Sequence, residues 1–356
     1  MNIVEATLDY ERWLKRHTPL IPRQVRLKHE HMRESPFSFL RATFYRWAQF
    51  WPEICSDLAA APKVLGVGDL HAENFGTWRD LEGRLVWGIN DFDESDSIAY
   101  TNDLVRLLAS VLFAREEQIL AASPTASAEA ILEGYCEGWR ERGKPFLLGE
   151  KNKRLLLMAQ GGMRAPALFW DKIDAVKKVK QVPPAVRRAI CPRLPEPRLE
   201  LTFAPRVCGL GSLGRQRFVG LAEWHGARVA REAKAMAPSA LVWARRANSG
   251  DLFYQRILDR SVRCPDPFVR IEGRWVVRRL TPDCSRIELK DLPVKRDELR
   301  LLYCMGWEAA NIHLGTPKAR AAILVDLKKR RSGWLLQAAR DMARAVSSDW
   351  KAWLRA

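Results

Sequence analysis

The first half of the chain combines helical periodicity with two short apolar runs. Ser35 suits an N-cap and Pro36 suits the first helical position, so a helix is predicted to begin there. The helices predicted from apolar spacing cover about residues 37–58, 101–117 and 127–142. Val64–Val67 and Leu85–Asn90 predict short strands, and the polar segment between them contains glycines that predict a loop.

The second half changes to short runs typical of strands separated by turns. The predicted strands cover residues 198–208, 215–223, 228–234, 267–271 and 275–280. A helical stretch over about residues 238–260, interrupted at Asn248-Ser249-Gly250, separates the third strand from the fourth. Everything from Arg296 onward is predicted to be helical, with a break at Gly315-Thr316-Pro317.

A basic segment, residues 177–197, joins the two halves and holds five prolines. Because proline blocks helix continuation, an extended connection is predicted there. Residues 1–176 then form most of a helical unit, residues 198–284 form a strand-rich unit, and residues 285–356 complete the helical unit. A chain of 356 residues has the length of one large domain or two lobes, and the pattern predicts an α+β fold.

The composition adds a strong positive charge. Lys and Arg number 59 against 42 Asp and Glu, a net charge of +17, which favours polyanionic partners such as nucleic acid, anionic lipid or phosphorylated small molecules. Solvated helix faces explain the charge equally well, and no compact basic and aromatic motif supports nucleic acid. Seven scattered cysteines without a C-x-x-C pair argue against a disulfide framework. No signal peptide or membrane span is apparent, so a cytoplasmic location is predicted.

The densest group of polar residues follows the first predicted strand. Asp69 and Asn74 lie five positions apart, and Asp91-Phe92-Asp93 follows the next strand. Phosphoryl transfer needs one carboxylate to orient the attacking hydroxyl, and an amide and a second carboxylate to hold Mg²⁺. Protein kinases use this spacing, with an Asp-Phe-Gly motif in the later place. Asp69 is therefore the predicted catalytic residue, and Asn74, Asp91 and Asp93 are the predicted metal ligands. Two ordinary polar turns are the alternative.

The same loop resembles that of the aminoglycoside and choline kinases, which reads H-G-D-x-H-x-x-N. Val67 stands in place of the leading His, and His71 occupies the second His position, where it either assists the base or, as we favour, shapes the loop. Asp103-Leu104 matches a later Asp-Leu pair of these kinases. The resemblance implies that Asp103 bonds to loop amides, whereas an acidic residue favoured by the helix dipole is the alternative.

A glycine-rich sequence lies between two predicted strands of the second half. Gly209, Gly211, Ser212 and Gly214 belong to it, and a strand rather than a helix follows. This context favours a kinase hairpin that covers nucleotide phosphates over a Rossmann fold, in which the pattern opens a helix. Lys234 ends the next strand, where kinases keep the lysine that pairs with the phosphates. These residues are predicted to bind ATP; a glycine-rich hairpin with a surface lysine is the alternative.

The acidic partner of Lys234 is absent from its usual place. Kinases pair this lysine with a Glu on the following helix, and no Glu occurs between Ala235 and Arg270. The candidates for the role are Gln255, Asp251, Asp259 and Glu232. Lys28 is an alternative to Lys234 as the lysine that pairs with the nucleotide phosphates.

The order of the motifs is inverted relative to ordinary protein kinases. The resemblance implies a kinase-like, two-lobed fold with the catalytic half first and the nucleotide lobe second. Such a circular permutation would be cut between the helix Leu299–Leu314 and the loop that carries Asp69. This order and the loop sequences also resemble the uncharacterised bacterial proteins grouped as domain of unknown function 2252, over about residues 28–315. That family has no settled substrate, so the resemblance implies a fold and a site rather than a reaction.

We therefore expect an ATP- and Mg²⁺-dependent phosphotransferase that acts on a hydroxyl-bearing small molecule or protein. Nucleotidyl transfer uses much the same parts and stays open. A nucleotide-binding regulator without catalysis is the alternative, supported by the missing Glu. Asp69-Leu70-His71 also fits D-x-H, the first sequence motif of the metallophosphoesterases, but the further His and Asp motifs of that class are lacking.

Overall fold

A computed structural model describes residues 1–162, 166–196, 198–248, 250–284 and 296–356, and the fold is α+β, as predicted. The helices are α1 (Ile3–His17), α2 (Pro22–Glu34), α3 (Pro36–Ala42), α4 (Phe44–Ile54), α5 (Ser56–Ala59), α6 (Tyr100–Glu116), α7 (Pro124–Arg140), α8 (Lys153–Gly162), α9 (Pro166–Asp174), α10 (Pro184–Ile190), α11 (Ala240–Ala244), α12 (Tyr254–Arg260), α13 (Arg296–His313), α14 (Arg320–Lys329) and α15 (Trp334–Arg355). The strands are β1 (Lys63–Gly66), β2 (Phe75–Arg79), β3 (Leu85–Ile89), β4 (Asp96–Ala99), β5 (Phe146–Leu147), β6 (Thr202–Pro205), β7 (Arg217–Trp224), β8 (Ala227–Ala235), β9 (Arg270–Glu272) and β10 (Trp275–Leu280).

The strands within the described ranges form three antiparallel sheets. β1 pairs with β4, and β2, β3 and β5 form a second small sheet. The largest sheet has the order β6-β7-β8-β10-β9 and contains the strands predicted for the second half. In its register Lys234 lies opposite Arg217 on one side and Val276 on the other.

The centre of the helical unit is α6, which is buried on all sides from Tyr100 to Ala114. A helix that is surrounded by other elements needs no polar face, which explains why the sequence from Leu104 to Ala114 is apolar apart from Arg106 and Ser110. The predicted helices at 101–117 and 127–142 correspond to α6 and α7 and are confirmed. None of the helices in the described part of the chain combines the length and apolarity needed to cross a bilayer.

The predicted helix at 37–58 is wrong in its continuity, because three shorter helices cover it. Ser35 does cap α3, since its side chain accepts a hydrogen bond from the Ser38 amide. The chain then leaves the helical conformation at Thr43 and again at Cys55. The Thr43 hydroxyl donates to the Phe39 carbonyl oxygen at 2.6 Å, a local bond that competes with helix continuation.

The connection predicted as extended, residues 177–197, contains α10 and a 3₁₀ turn over Cys191–Arg193. Pro184 occupies the first turn of α10, where a missing amide hydrogen costs nothing. α10 buries Val186 and Ile190 against Phe203 of the large sheet, so tertiary packing stabilises a helix here. Pro197 lies outside the described residues.

One further difference and two agreements concern smaller elements. The polar segment after β1, predicted to be a loop, includes strand β2, in which Gly76 is the second residue. The helical stretch predicted at 238–260 is α11 and α12, interrupted at the predicted place, although Ser249 is outside the described residues. The helices predicted from Arg296 onward are α13, α14 and α15, with the break near Gly315. Residues 285–295 of the predicted C-terminal unit are outside the described ranges.

Candidate functional site

The loop after β1 is hydrogen-bonded to α6 through the side chain of Asp103. Asp103 accepts hydrogen bonds from the Val67 amide at 2.7 Å and the Gly68 amide at 2.9 Å, which is the role that the kinase resemblance implied. His313 of α13 lies 2.9 Å from the same carboxylate, and Tyr135 bonds to the other ring nitrogen of His313. Because all these side chains are buried, the start of the loop is fixed by a closed polar network.

Asp69 follows this fixed segment and forms an ion pair with Arg106. The Nη2 atom of Arg106 lies 2.5 Å from Asp69 Oδ1, and Arg106 is completely buried. Arg106 also donates to the Leu40 carbonyl oxygen and stacks between the rings of Phe44 and Trp47. Burial raises the pKa of Asp69, and the charge of Arg106 acts in the opposite direction. The guanidinium therefore both orients the carboxylate and favours its ionised form.

His71 makes a local contact within the loop. Its Nδ1 accepts a hydrogen bond from the Glu73 amide at 3.2 Å. Glu73 in turn forms an ion pair of 2.7 Å with Arg41 of α3. These contacts shape the loop, which is the role favoured for His71 from the sequence.

The predicted metal ligands lie around the same cleft. Asn74 Oδ1 and Asp93 Oδ1 are buried, and neither has a hydrogen-bond partner among the described residues. Asp91 keeps 38% of its side chain exposed and so stays accessible to a ligand. Mg²⁺ takes oxygen ligands from one or two carboxylates together with water and phosphate oxygens, so this set of side chains fits the ion. No group of three His, Cys, Asp or Glu side chains suited to a metal occurs in the described ranges.

Lys234 of β8 forms ion pairs with these carboxylates rather than with a helix residue. Its Nζ lies 2.6 Å from Asp93 Oδ2 and 3.3 Å from Asp91 Oδ1. Although burial alone would raise the pKa of Asp91, the charge of Lys234 outweighs it, with help from Arg278 and Arg217, and holds that pKa well below its usual range. The large sheet is thereby joined electrostatically to the loop after β3.

The partners suggested for Lys234 from the sequence have other contacts. Gln255 bonds to Asp259, and Asp251 pairs with Arg256. Glu232 lies on the same face of β8 as Lys234 but pairs with Arg206, Arg217 and Arg278. The missing helix Glu is thus not replaced by any of these four side chains.

The glycine-rich loop lies directly over Asp69. A Cβ atom on Gly211 would be 3.6 Å from Asp69 Oδ2 and 3.2 Å from the Arg41 carbonyl oxygen, so only a residue without a side chain allows this approach comfortably. Gly209 has a φ of +77° and precedes a 3₁₀ turn at Leu210–Ser212. The Ser212 hydroxyl accepts a hydrogen bond from Arg217 at 2.8 Å.

The N-terminal helices hold the glycine-rich loop in this position. Lys28 of α2 donates to the Gly211 carbonyl oxygen at 3.2 Å, and the Ile21 amide donates to the Gly214 carbonyl oxygen at 2.8 Å. Burial lowers the pKa of Lys28 to about 8. Lys28, the alternative to Lys234 in the sequence analysis, therefore anchors the glycine-rich loop to α2, whereas Lys234 pairs with Asp91 and Asp93.

Arg215 makes the second connection between the glycine-rich loop and the acidic residues. It lies 3.2 Å from Asp93 and 3.1 Å from Glu94. Glu94 also accepts a hydrogen bond from the Ala240 amide at 2.6 Å, at the start of α11. Burial raises the pKa of Glu94 to about 7, the largest of the influences on it.

The predicted catalytic and metal-binding side chains line one narrow cleft together with the glycine-rich loop, and a larger cavity opens beside it. Asn90, Asp91 and Gly209 line both spaces, so the two are continuous. The larger cavity has a volume of about 630 Å³ and lies against the face of the large sheet that carries Val219 and Arg278. A ligand in the cavity can therefore reach Asp91 and the glycine-rich loop.

The comparisons with known proteins agree with part of this picture. A family model described as an uncharacterized protein conserved in bacteria, domain of unknown function 2252, matches residues 20–155. The match includes the loop with Asp69 and the residues after β3 but ends before the glycine-rich loop. No curated protein and no solved structure matches the chain.

Several residues of the site were not identified from the sequence. Arg106 interrupts an apolar run, and a lone charged residue in such a run is the one sign that the sequence offers there. Arg41 lies on α3, away from the polar motifs, and Arg215 and Glu94 lie next to predicted site residues. Their roles depend on contacts between distant segments, which no local pattern records.

Proposed function

We propose that the protein is an ATP- and Mg²⁺-dependent phosphotransferase with a hydroxyl-bearing acceptor. The observation that carries the proposal is that Asp69, Asn74 and Asp91 line one cleft with the glycine-rich loop, and that Lys234 pairs with Asp91. These residues come from three separate segments of the chain, and each has the side chain that phosphoryl transfer requires.

In this proposal Asp69 accepts the proton of the acceptor hydroxyl as its oxygen bonds to the γ-phosphorus, and the bond from phosphorus to the ADP oxygen breaks. The ion pair with Arg106 orients the carboxylate for this role. Lys234 and the backbone of Gly209–Gly214 hold phosphate oxygens. Asn74, Asp91 and Asp93 would hold Mg²⁺, which supplies positive charge against the phosphates.

We further propose a kinase-like two-lobed architecture in a circularly permuted order. Two contacts support a cut between α13 and the loop of Asp69. Thr316, just after α13, accepts a hydrogen bond from the Leu65 amide at 2.8 Å, and His313 at the end of α13 contacts Asp103. The end of this helix thus adjoins the strand that enters the catalytic loop. In an unpermuted chain the same helix would continue into that loop.

A nucleotide-binding regulator without catalysis is the second candidate, and the Asp69–Arg106 ion pair favours it. The charge of Arg106 opposes the rise in pKa that burial gives Asp69, so the carboxylate is a weaker base than it would be at the same buried place without the guanidinium. The glycine-rich loop and Asp69 also line the same narrow cleft, which limits the space for an acceptor. Nucleotidyl transfer at the same site would use the same phosphate contacts, but the acceptor would attack the α-phosphorus of ATP instead of the γ-phosphorus.

The test is nucleotide binding followed by product analysis. The melting temperature is measured with ATP and Mg²⁺, with ATP and EDTA, and without ligand, since a ligand of the native state raises it. Radiolabelled ATP, carrying either γ- or α-phosphorus-32, is then incubated with the protein and candidate acceptors. Release or transfer of the γ label supports the phosphotransferase, and transfer of the α label indicates nucleotidyl transfer. Mg²⁺-dependent binding without either product supports the regulator, and a folded protein without any shift contradicts all three.

A further inference from the structure

The larger cavity is lined by an excess of positive charge. Six cationic side chains line it, against the two carboxylates of Asp91 and Asp266. The cations are Lys172, Arg206, Arg217, Arg263, Arg278 and Arg279. We call this space the arginine cavity. The rest of the lining is largely apolar or aromatic, so the cationic side chains are the polar groups available to orient a ligand there.

Three of these arginines already have an anionic partner inside the protein. Arg206, Arg217 and Arg278 surround Glu232, which is completely buried. The pKa of Glu232 is held well below its usual value: burial acts to raise it, but the three guanidinium charges prevail. One carboxylate thus neutralises part of the charge of three guanidinium groups, so a net positive charge remains on this side of the arginine cavity.

Arg263 and Arg279 have no such partner. Neither side chain forms a hydrogen bond or an ion pair with any described residue, and two side-chain nitrogen atoms of each are buried without an acceptor. Arg263 lies over the rings of Trp78 and Phe92, with its guanidinium carbon 4.7 Å and 5.1 Å from their centres. Arg279 lies 4.3 Å over the ring of Phe268. Both guanidinium groups are therefore held in place by stacking.

The two arginines also share an electrostatic environment. Each acts to lower the pKa of Asp266, although burial is the larger influence and raises it. Asp266 accepts a hydrogen bond from the Phe268 amide but forms no ion pair with either arginine in the described structure. Burying a cation without an acceptor is costly, so a site of this kind is stabilised when an anion enters it.

We propose that the arginine cavity binds a phosphate group of a small-molecule ligand through Arg263 and Arg279. Arginine forms paired hydrogen bonds with phosphate oxygens, and stacked guanidinium groups lose little freedom when they do so. A phosphate offers three terminal oxygens to the unpartnered donors of the two side chains, whereas a carboxylate offers two. The proposal concerns binding alone and does not depend on ATP turnover or on Mg²⁺.

The experiment is titration calorimetry with inorganic pyrophosphate in EDTA at constant ionic strength. Wild type should bind it saturably, and Arg263→Gln and Arg279→Gln should each weaken binding by about 10- to 100-fold, the value of one charged hydrogen-bonding partner. Arg279→Lys keeps the charge but not the forked donors, and should weaken binding as well. Circular dichroism establishes that each variant is folded. If one Gln variant does not fold, the pyrophosphate affinities of the other Gln variant and of Arg279→Lys test the proposal.

Two controls separate this site from the proposed phosphate contacts of ATP. Arg256→Gln removes an arginine that also stacks on a phenylalanine, Phe253, but lies outside the cavity, and it should leave binding unchanged. Lys234→Met removes a proposed phosphate contact of ATP, so the binding that it loses measures the pyrophosphate held at that contact. Full binding in the arginine variants would overturn the proposal, as would absence of saturable binding to wild type. Equal affinity for citrate would overturn the assignment to phosphate.

Discussion

Arg106 pairs with Asp69 at 2.5 Å from a position in the middle of the most deeply buried helix of the fold. The pair links the proposed catalytic carboxylate to the hydrophobic core, because Arg106 also stacks on Phe44 and Trp47. An aspartate held in this way has one orientation, and its pKa reflects the balance between burial and the guanidinium charge.

Removal of that charge should change the pH dependence of activity. In Arg106→Met the largest influence opposing burial is lost, so the pKa of Asp69 rises further and the acid limb of kcat/KM should move to higher pH. Arg106→Lys keeps the charge and should move the limb less. The measurement is ATP turnover between pH 5 and 9 on variants shown to be folded by circular dichroism. An unchanged acid limb in folded Arg106→Met would exclude Asp69 as the titrating base.

Gly68 tests how tightly the catalytic loop is packed. It has a φ of +81°, and a Cβ atom there would lie 2.2 Å from the Glu94 carbonyl oxygen. Gly68→Ala combines backbone strain with a clash, so we expect a loss of about 3 kcal/mol or more in the free energy of unfolding. Gly83→Ala is the matched control: its φ is +72° and no atom lies within 4 Å of the added methyl group. It should cost about 1 kcal/mol, and equal losses in urea unfolding would contradict the described packing.

Asp103 should be important for stability as well as for loop geometry. In Asp103→Asn an NH2 group replaces one carboxylate oxygen, and it cannot accept the hydrogen bond that this oxygen accepts from a loop amide. The loss of negative charge also weakens the buried contact with His313. We expect a loss of about 3 kcal/mol in the free energy of unfolding, measured with urea. Asp341→Asn breaks a surface pair with Arg344 and should change stability by about 0.5 kcal/mol or less. A similar small effect at Asp103 would refute the proposed network.

Glu94 should make stability depend on pH. Its pKa is about 7 in the folded protein against an ordinary value of 4.5, so the folded state retains a proton that the unfolded chain releases in this window. The contribution of Glu94 is therefore present below pH 4.5 and is lost as the pH rises to about 7, a change of about 3 kcal/mol.

The measurement compares urea unfolding of wild type and Glu94→Gln at pH 4.5, 6 and 8. Wild type should lose stability relative to the variant as the pH rises, while the control Glu129→Gln, at an exposed position on α7, should follow wild type. A constant difference between wild type and Glu94→Gln across this range would show that Glu94 titrates normally.

The parts of the site that sequence could predict are those set by local chain geometry. Asp69 and Asp91 follow strands, and polar residues at strand ends are exposed to a cleft, so their proximity could be expected. Gly209–Gly214 could be assigned to a hairpin because strand patterns flank it. The α+β class follows from the same alternation of patterns.

The remaining parts depend on packing between distant segments. The contact of Arg106 with Asp69 requires α6 to lie directly beneath the loop, and Lys28 reaches Gly211 across 183 positions of sequence. Pro184 was taken as a sign of extended chain, yet burial of Val186 and Ile190 makes the following residues helical. Long-range burial overrode the local preference in each case.

The central claim is that Asp69 acts on the acceptor, whereas Asp91 holds the metal and nucleotide. Calorimetry with ATP and Mg²⁺, combined with ATP turnover of the same samples, tests it with wild type, Asp69→Asn and Asp91→Asn. Asp91→Asn should weaken Mg²⁺-dependent ATP binding. Asp69→Asn should bind ATP nearly as wild type does and lose turnover by ~10²–10⁴-fold. Equal loss of ATP binding in both variants, or unchanged turnover in Asp69→Asn, would contradict this division of roles.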